Sequence, residues 1–510
     1  MREVAVPVMD KCLHLVDHLP ASNNFRRSMV SFRPILLVLG ILLTTLAFMM
    51  CIPAAVDGYS GHADWKVFLT SASVTLFAGL LLVLGNRLAV YRLTVRQAFV
   101  LTSLSWVAVT AFGALPFAFS HPNMTYTNAL FEAMSGLTTT GATVMVGLDH
   151  APPGVLLWRA LLNGLGGIGI IVMAVAVLPF LRVGGMQLFR TESSDRSDKI
   201  LPKTAQMVNA IILVYLFLIA LCILFLWVAG MGFFDAVCHG IAAVSTGGFS
   251  TKDASVAYFN NPWFDWILVL FMISGALPLT WYVRVVQKGW GAARKDSQVG
   301  TFLKILAAAV GVMTTWLWIT KDFSFWYALR MAAFNVTSII TDTGFVTSDY
   351  GAWGHFAVTA FLIFPFIGGC TGSTAGAIKI FRWQILFRSV KRQTISMFQP
   401  HRIVDLRYNG QSYSPEVMAG AVSFVVLYLI GFAVLTLMVS LFDVDLLTSA
   451  SAVAAAMANS GPGLGSVVGP FQGYHALPDA VIRILTFAML FGRLELFTLL
   501  VLLNPQFWRD

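Results

Sequence analysis

"GLTTTGATV", residues 136–144, is the stretch that decides the fold, because six residues in a row, 138–143, are small or hydroxylated in a chain that is otherwise strongly apolar. Non-helical backbone at membrane depth is tolerated only where it is buried in protein or lines a water-filled cavity. If this chain spans a membrane, the stretch is therefore a candidate for an internal loop, and its recurrence along the sequence becomes the central question.

The composition indicates a membrane protein. Of 510 residues, 57% are hydrophobic and 11% are charged, whereas a soluble domain carries about 25% charged residues. The motifs HExxH, GxxxxGK[ST] and GxSxG are absent, the five cysteines show no metal-ligand spacing, and GLGGIGI at 164–170 lies in an apolar helix, where small residues favour close packing. The sequence does not indicate an enzyme. Ten segments are apolar and near the length of roughly 20 residues that a spanning helix needs: 34–56, 66–86, 96–118, 155–182, 204–231, 263–286, 299–321, 355–390, 413–442 and 478–503.

Basic residues orient these spans. Lys and Arg cluster before span one and after spans two, four, six and eight, while the opposite loops are nearly free of them. Since cytoplasmic loops carry an excess of Lys and Arg, we expect both termini to be cytoplasmic. The net charge of +9 follows from this bias, so it calls for membrane lipids as contacts and for no nucleic acid.

The polar stretch occurs four times. After spans three, five, seven and nine comes a helical segment too short to span, which ends in Thr, Ser, Asn and Gly. This is an internal repeat of span, half-helix, polar loop and span. Alignment of the loops brings four glycines to one position, Gly141, Gly248, Gly344 and Gly461, preceded by Thr139 and Thr140, Thr246 and Gly247, Asp342 and Thr343, and Asn459 and Ser460.

Four loops from four similar units predict a ring around an axis. Carbonyls that face the axis can replace the water shell of a cation, and each half-helix directs the negative end of its dipole at it. Glycine lets the backbone adopt dihedral angles that other residues avoid. Asp235 and Asp445 fall near half-helix N-termini, where the dipole stabilises an acid, whereas Glu132 lies deeper and is predicted to hydrogen-bond one of the loops.

The motifs FEAMSGLTTTGAT, STGGFS, TDTGF, GGCTGSTAGAIK and GRLE together resemble the membrane subunits of the Trk-type potassium uptake systems, in the Trk/Ktr/HKT superfamily, over residues from about 34 to 503. The resemblance implies an all-α polytopic membrane protein with four M1–pore helix–M2 repeats around a central pore and two extra N-terminal transmembrane helices. It also implies K⁺ bound by the carbonyls of the loop residues named above, a selectivity filter, and no organic cofactor. Asp342 departs from the uncharged residue expected beside a filter; a salt bridge to a neighbour and a tuning of cation affinity are both open.

The expected organisation has six parts. They are a cytoplasmic N-terminus at 1–33, a two-helix addition at 34–95, and repeats one to four at 96–190, 191–290, 291–400 and 401–510. The resemblance further implies a homodimer in the bacterial inner membrane and a cytosolic RCK-type, nucleotide-binding regulatory subunit (TrkA-like).

Span eight predicts a gate. It is too long for one crossing and contains GGCTGSTAG at 368–376; Gly and Ser in a row hold a helix poorly against lipid. A packed kink is one explanation, and an intramembrane loop beneath the filter, which the resemblance supports, is the other. The predicted gate residues are Gly368, Gly369, Gly372, Ser373, Thr374, Gly376 and Arg493.

Arg493 lies at mid-membrane in span ten, where a charge costs at least ~2.5 kcal/mol. It is either a barrier to cations or half of an ion pair with another helix; Glu495, two residues on, cannot face it along a helix.

Three functions follow from these features. Channel-like potassium uptake gated by the cytosolic subunit competes with H⁺- or Na⁺-coupled symport. Symport usually needs broken helices at corresponding places in paired repeats, and the sequence indicates one strong break, in repeat three only, which favours the channel. A membrane scaffold without transport is the third, and the four filter-like loops argue against it.

Overall fold

The computed structural model describes residues 31–87, 94–121, 123–172, 200–293, 296–401, 407–408, 411–412 and 415–509. Most of the predicted cytoplasmic N-terminus (1–33) and the predicted boundary between repeats one and two (190 and 191) lie outside the described residues. The described chain is helical apart from two paired two-residue strands, β1 (Arg407–Tyr408) and β2 (Gln411–Ser412).

The helices of the described residues follow one another in a regular order. They are α1 (Arg33–Ser60), α2 (Trp65–Asn86), α3 (Val95–Gly113), α4 (Leu115–Phe119), α5 (Tyr126–Leu137), α6 (Pro153–Val172), α7 (Ile200–Val228), α8 (Phe233–Val244), α9 (Pro262–Ala276), α10 (Leu279–Lys288), α11 (Trp290–Ala293), α12 (Ser297–Thr320), α13 (Phe325–Ile340), α14 (His355–Ile363), α15 (Ile380–Phe398), α16 (Pro415–Ser440), α17 (Leu446–Ala458), α18 (Asp479–Arg493), α19 (Phe497–Leu503) and α20 (Pro505–Arg509). Short 3₁₀ turns lie at Leu148–His150, Ser255–Phe259, Tyr350–Trp353, Phe364–Phe366 and Tyr474–Ala476.

The first two helices form the predicted N-terminal addition. They cross closely because glycines lie at the crossing: a Cβ on Gly40 would fall 2.8 Å from the carbonyl oxygen of Gly79 in the other helix. Asp57, fully buried near the end of α1, accepts a 2.6 Å hydrogen bond from the backbone N–H of Gly154 in the first turn of α6. That bond fixes the addition to the first repeat.

Four units then repeat one plan, in which an outer helix is followed by a short pore helix, a polar loop and an inner helix. The pore helices α5, α8, α13 and α17 have 12, 12, 16 and 13 residues, which gives them lengths of about 18–24 Å, too short to cross the ~30 Å hydrocarbon core. The predicted half-length helices, and the all-α fold with four repeats and two added helices, are confirmed.

The inner helices approach the pore helices through glycines. A Cβ on Gly166, Gly275 or Gly492 would lie closer than 3.0 Å to the carbonyl oxygen of Leu137, Val244 or Met457, each at or next to the last residue of a pore helix. The interpretation of GLGGIGI as a packing segment is therefore right. Large apolar side chains on the outer helices, such as Leu213 and Leu437, are about 70% exposed, which suits a lipid-facing surface.

Three inner helices of the described chain are broken, whereas the sequence predicts one strong break. Helices α9 and α10 meet at 88° across Leu277 and Pro278, and α18 and α19 meet at 109°. The continuous spans predicted at 263–286 and 478–503 are therefore wrong. Proline disfavours helical backbone at the residue before it, which explains the first break, and positive φ angles at Glu495 (55°) and Leu496 (32°) end α18.

The predicted break in span eight is present. Helix α14 and its 3₁₀ extension end at Phe366, residues 367–379 are irregular, and α15 begins at Ile380. We call residues 367–379 the intramembrane loop. Within the described residues, six helices are long and apolar enough to span a membrane, and the two bent pairs raise the number to eight.

Candidate functional site

The four polar loops share one backbone conformation. In each, the aligned glycine and the residue two positions before it have left-handed φ angles. The values are 53° and 82° for Thr139 and Gly141, 53° and 67° for Thr246 and Gly248, 59° and 88° for Asp342 and Gly344, and 61° and 87° for Asn459 and Gly461. Since non-glycine residues rarely adopt positive φ, this fourfold recurrence supports the sequence alignment of the loops.

The four glycines form a closed ring. A Cβ on Gly141 would fall within 3.0 Å of the carbonyl oxygen of Gly247 in the second loop. The same relation joins Gly248 to Thr343, Gly344 to Ser460, and Gly461 back to Thr140. Each glycine thus packs against the carbonyl that precedes the next glycine, and the order of the loops around the ring is the order of the repeats.

The ring is buried, and the side chain of Asn459 ties two of its loops together. Of the twelve predicted filter residues only Gly141 is partly exposed. Asn459 donates from Nδ2 to Thr140 Oγ1 at 3.0 Å and to the Met489 carbonyl at 3.1 Å, which ties the fourth loop to the first loop and to α18. Among the described residues no backbone N–H donates to the carbonyls of Thr140, Gly247, Thr343 or Ser460.

A polar side chain on each pore helix hydrogen-bonds to the irregular segment that follows the ring glycine of the same repeat. Glu132 accepts from Thr143 Oγ1 at 2.9 Å and from the Val144 N–H at 3.0 Å, so its predicted bond to a loop is confirmed. The corresponding bonds in the other repeats join His239 Nε2 to Ser250 Oγ (2.9 Å), Asn335 Nδ2 to Thr347 Oγ1 (2.9 Å), and the Leu464 N–H to Ser451 Oγ (2.9 Å).

The intramembrane loop is bonded to the break between α9 and α10. The N–H groups of Cys370 and Thr374 donate to the carbonyls of Ala276 and Gly275 at 2.9 and 3.2 Å, and the Leu279 N–H donates to the Gly372 carbonyl at 3.0 Å. The loop therefore satisfies backbone groups that the broken helix leaves open, as buried backbone requires.

The predicted gate residues lie together beside the inner ends of the pore helices. Thr374 Oγ1 donates to the Val244 carbonyl and lies 3.2 Å from Thr246 Oγ1, at the start of the second polar loop. A Cβ on Gly376 would meet the Ala458 carbonyl. Gly368 and Gly369 bond backbone to backbone with Ile378 and Ile380, Ser373 Oγ donates to the Cys370 carbonyl at 2.6 Å, and Gly372 has a φ of 79°.

Arg493 joins this loop to the fourth repeat. Its guanidinium is buried, and Nη1 donates to the Thr374 carbonyl at 3.0 Å. Its Nε and Nη2 atoms have no hydrogen-bond partner within the described part of the chain. Glu495 does not pair with it, as predicted from the spacing, and forms a 2.6 Å ion pair with Arg382 of α15 instead.

Asp342 is a further charged group on this inner side. It is fully buried, and its carboxylate interacts electrostatically with Lys379 and Arg493. The Gly376 backbone lies near it, but neither carboxylate oxygen has a hydrogen-bond partner of good geometry among the described residues. Lys379 Nζ donates to the Ala375 carbonyl within the intramembrane loop.

Sequence reasoning missed several functional candidates. Arg159, Lys379 and Arg382 are buried charges inside apolar segments, and the cost of such charges in a membrane was the signal that could have identified them. Tyr474 was also missed: its hydroxyl donates to the Gly461 carbonyl at 2.7 Å.

Known proteins are similar to this chain over most of its length. Residues 65–509 match the family described as TrkH, cation transport protein. The Trk system potassium uptake protein TrkI of Halomonas elongata is 40% identical over 482 residues, which cover 94% of this chain and 97% of that protein. TrkH of Escherichia coli K12 is 36% identical over 484 residues, covering 94% and 100%.

A solved structure agrees with the fold. The potassium transporter TrkH from Vibrio parahaemolyticus matches with a TM-score of 0.87 at 35% identity, over 94% of this chain and 100% of that one. The names of these relatives describe transport proteins and not enzymes.

Proposed function

The chain belongs to the TrkH family of cation transport proteins, and from this premise we propose that it takes up potassium across the bacterial inner membrane through the ring of four loops. The observation that carries the proposal is the closed ring of left-handed glycines, each packed against the carbonyl before the next. The potassium uptake proteins named above are similar to it over nearly its full length.

The ring is suited to act as a selectivity filter. Carbonyls that no neighbouring N–H occupies can take the place of water around K⁺, and four pore helices direct their negative ends to one place. The twelve loop residues named above would supply these carbonyls. Among their side chains, that of Asn459 bonds to Thr140 and to the Met489 carbonyl and so ties the fourth loop to the first loop and to α18.

The intramembrane loop is suited to close the path. It lies against the inner ends of pore helices α8 and α17 and is bonded to the α9–α10 break. Arg493 holds it through one carbonyl, and a fixed positive charge beside a narrow cation path raises the barrier to passage. Opening would require the loop to leave these bonds.

A cytosolic regulator is the proposed trigger. Helix α15 starts directly after the intramembrane loop, and the Arg382–Glu495 pair joins it to the break between α18 and α19. A nucleotide-binding, RCK-type subunit that pulls on α15 would act on both. We further propose that the chain works as a homodimer; mass measurement in detergent or lipid nanodiscs, with and without the regulator, tests both partners.

Coupled symport is the second candidate. The inner helices of repeats two, three and four are all broken. Alternating access uses corresponding breaks in several repeats, so the number of breaks no longer favours a channel over a symporter. Reversal potentials under imposed K⁺, Na⁺ and H⁺ gradients decide between them. A potential that follows K⁺ alone supports the channel, and one that shifts with the H⁺ or Na⁺ gradient at fixed K⁺ supports symport.

A further inference from the structure

One buried ion pair touches two filter loops at once, and it lies on the side of the ring opposite the intramembrane loop. Arg159 of α6 binds Glu132 of α5, with 2.8 Å between Nε and Oε1 and side-chain exposures of 2% and 0%. Glu132 holds Thr143 and Val144, two and three residues after Gly141. Arg159 Nη1 donates to the carbonyl of Ser250, two residues after Gly248, at 2.7 Å.

The pair therefore spans the junction between repeats one and two. The Arg159 guanidinium also lies 4.1 Å from the centre of the Phe249 ring, next to Gly248. Glu132 and Arg159 each bond to a segment that directly follows a ring glycine. Neither residue is one of the twelve filter residues. An arginine held at Nε, at Nη1 and against an aromatic face has its orientation fixed, because the guanidinium is planar.

Repeats three and four hold the corresponding segment with the neutral side chains of Asn335 and Ser451. Repeat two uses His239 together with the Asp235 carboxylate, which accepts from Thr251 Oγ1 at 2.6 Å. A buried ion pair adds little net stability over well-packed neutral groups, but breaking one partner is costly. The first repeat thus carries a rigid, directional contact where a neutral bond would serve the fold.

We propose that Glu132 and Arg159 are specificity-determining positioning residues that fix the distance between the first and second filter loops and so set the preference for K⁺ over Na⁺. The proposal rests on the potassium transport proposed above. A filter that selects K⁺ by cavity size needs its carbonyl positions to resist collapse around a smaller ion. This pair is a buried charged contact that reaches from one filter loop to the next.

The test compares permeability ratios of purified variants in planar bilayers with K⁺ on one side and Na⁺ on the other. Arg159→Lys keeps the charge but cannot reach both Glu132 and Ser250. We expect a fall of about tenfold in the K⁺/Na⁺ ratio, since a factor of ten corresponds to ~1.4 kcal/mol of relative ion binding. The K⁺ current per folded molecule should stay within about twofold of wild type, because the ring residues are unchanged.

Asp265→Asn is the matched control. It breaks the Arg330–Asp265 ion pair (3.1 Å) between α9 and α13, which joins repeats two and three without touching a filter loop. It should leave the ratio unchanged. If it lowers the ratio as much as Arg159→Lys, loss of any pair between repeats explains the effect and the inference is wrong.

Thr143→Val keeps the test decisive if Arg159→Lys does not fold. It removes one hydroxyl that donates to Glu132. We expect the K⁺/Na⁺ ratio to fall by about threefold, which is within the range that the loss of one hydrogen bond produces. If the wild type is K⁺-selective and Arg159→Lys leaves the K⁺/Na⁺ ratio unchanged, this inference is wrong but the proposed function stands. If Arg159→Lys does not fold, an unchanged ratio in Thr143→Val has the same meaning. A wild type without K⁺-selective current overturns the proposed function as well.

Discussion

The outer and inner sides of the ring of four loops both carry buried charged residues, but the hydrogen bonds of these residues differ. On the outer side, the Glu132 and Arg159 side chains bond to each other, to Thr143 and to the Val144 and Ser250 backbones. On the inner side, Arg493 makes one hydrogen bond through Nη1, and its other nitrogens and both Asp342 oxygens lack partners among the described residues. The outer ion pair is hydrogen-bonded at both residues, whereas several buried polar atoms on the inner side have no hydrogen-bond partner among the described residues.

From this difference we infer that the outer contact is fixed and that the intramembrane loop is the movable element. A buried polar atom without a hydrogen-bond partner costs about 1–3 kcal/mol. The closed conformation of the inner side is therefore less stable than it would be if all its buried polar atoms were bonded. Displacing the intramembrane loop breaks its hydrogen bonds to α8 and to the α9–α10 break but no fully bonded ion pair. Displacing the outer segments breaks the Glu132–Arg159 ion pair and its backbone contacts. We therefore expect mutations on the outer side to change selectivity and mutations on the inner side to change flux.

The largest effect is expected where the two sides meet, at the ring itself. Gly248→Ala places a Cβ against the Thr343 carbonyl at a left-handed φ of 67°. The loop has to move, so the K⁺/Na⁺ permeability ratio should fall by more than about tenfold; Gly344→Ser, with Ser460 as the obstructing neighbour, should behave alike.

Gly113→Ala is the control for the glycine variants. Its Cβ would meet only Leu162 Cδ2 at 3.5 Å, an ordinary contact in α3. Unchanged selectivity in both ring variants would refute the carbonyl ring.

The next effect concerns the inner ion pair. Glu495→Gln leaves Arg382 buried without its carboxylate, although the guanidinium stays 3.7 Å from the centre of the Phe424 ring. Loss of one partner of a buried pair costs about 3–5 kcal/mol, so the thermal midpoint of the purified protein should fall. The permeability ratio should not change. A change in the ratio at normal stability would contradict the division between the two sides.

Arg493→Ala tests the movable side directly. Removal of the guanidinium frees the Thr374 carbonyl and takes a positive charge from beneath the ring. K⁺ flux per folded molecule should rise by a few fold, roughly the effect of ~1 kcal/mol on the closed state, and Arg493→Lys should change it less because a cation remains. A lower flux at normal yield would defeat the barrier interpretation.

The smallest effect is expected at Tyr474. Tyr474→Phe removes the 2.7 Å bond to the Gly461 carbonyl and leaves the ring of the side chain packed beside Phe131. One such bond is worth about 1 kcal/mol, so stability should fall slightly and the permeability ratio should shift by less than about fivefold. A tenfold shift would make this hydroxyl as important as the outer ion pair.

The sequence predicted the repeats and the loop register well because both are local patterns. Half-length apolar segments that end in Thr and Gly mark the pore helices, and the left-handed φ angles fall on the aligned glycines. The predicted break in span eight was equally local. Pro278 was a local signal for the break between α9 and α10, but it lies inside a long apolar segment. The break between α18 and α19 has no such signal, because residues 494–496 include neither Gly nor Pro.

The contacts between repeats could not be predicted in the same way. The partner of Arg159 in the second loop is 91 residues away, and Arg493 meets a carbonyl 119 residues away. Such pairs depend on how the four units close into a ring, which no local periodicity encodes. Glu495 pairs with Arg382 after α18 has ended at Arg493 and the backbone has taken positive φ angles at Glu495 and Leu496, which the local sequence does not signal.

The most direct measurement is the reversal potential of the purified wild-type chain in a planar bilayer with K⁺ on one side and Na⁺ on the other, recorded beside Gly248→Ala and Gly113→Ala. The account predicts a potential close to that of a K⁺-selective pore for wild type and Gly113→Ala, and a shift towards zero for Gly248→Ala. A wild-type potential near zero, or a K⁺ preference that survives intact in Gly248→Ala, would contradict it.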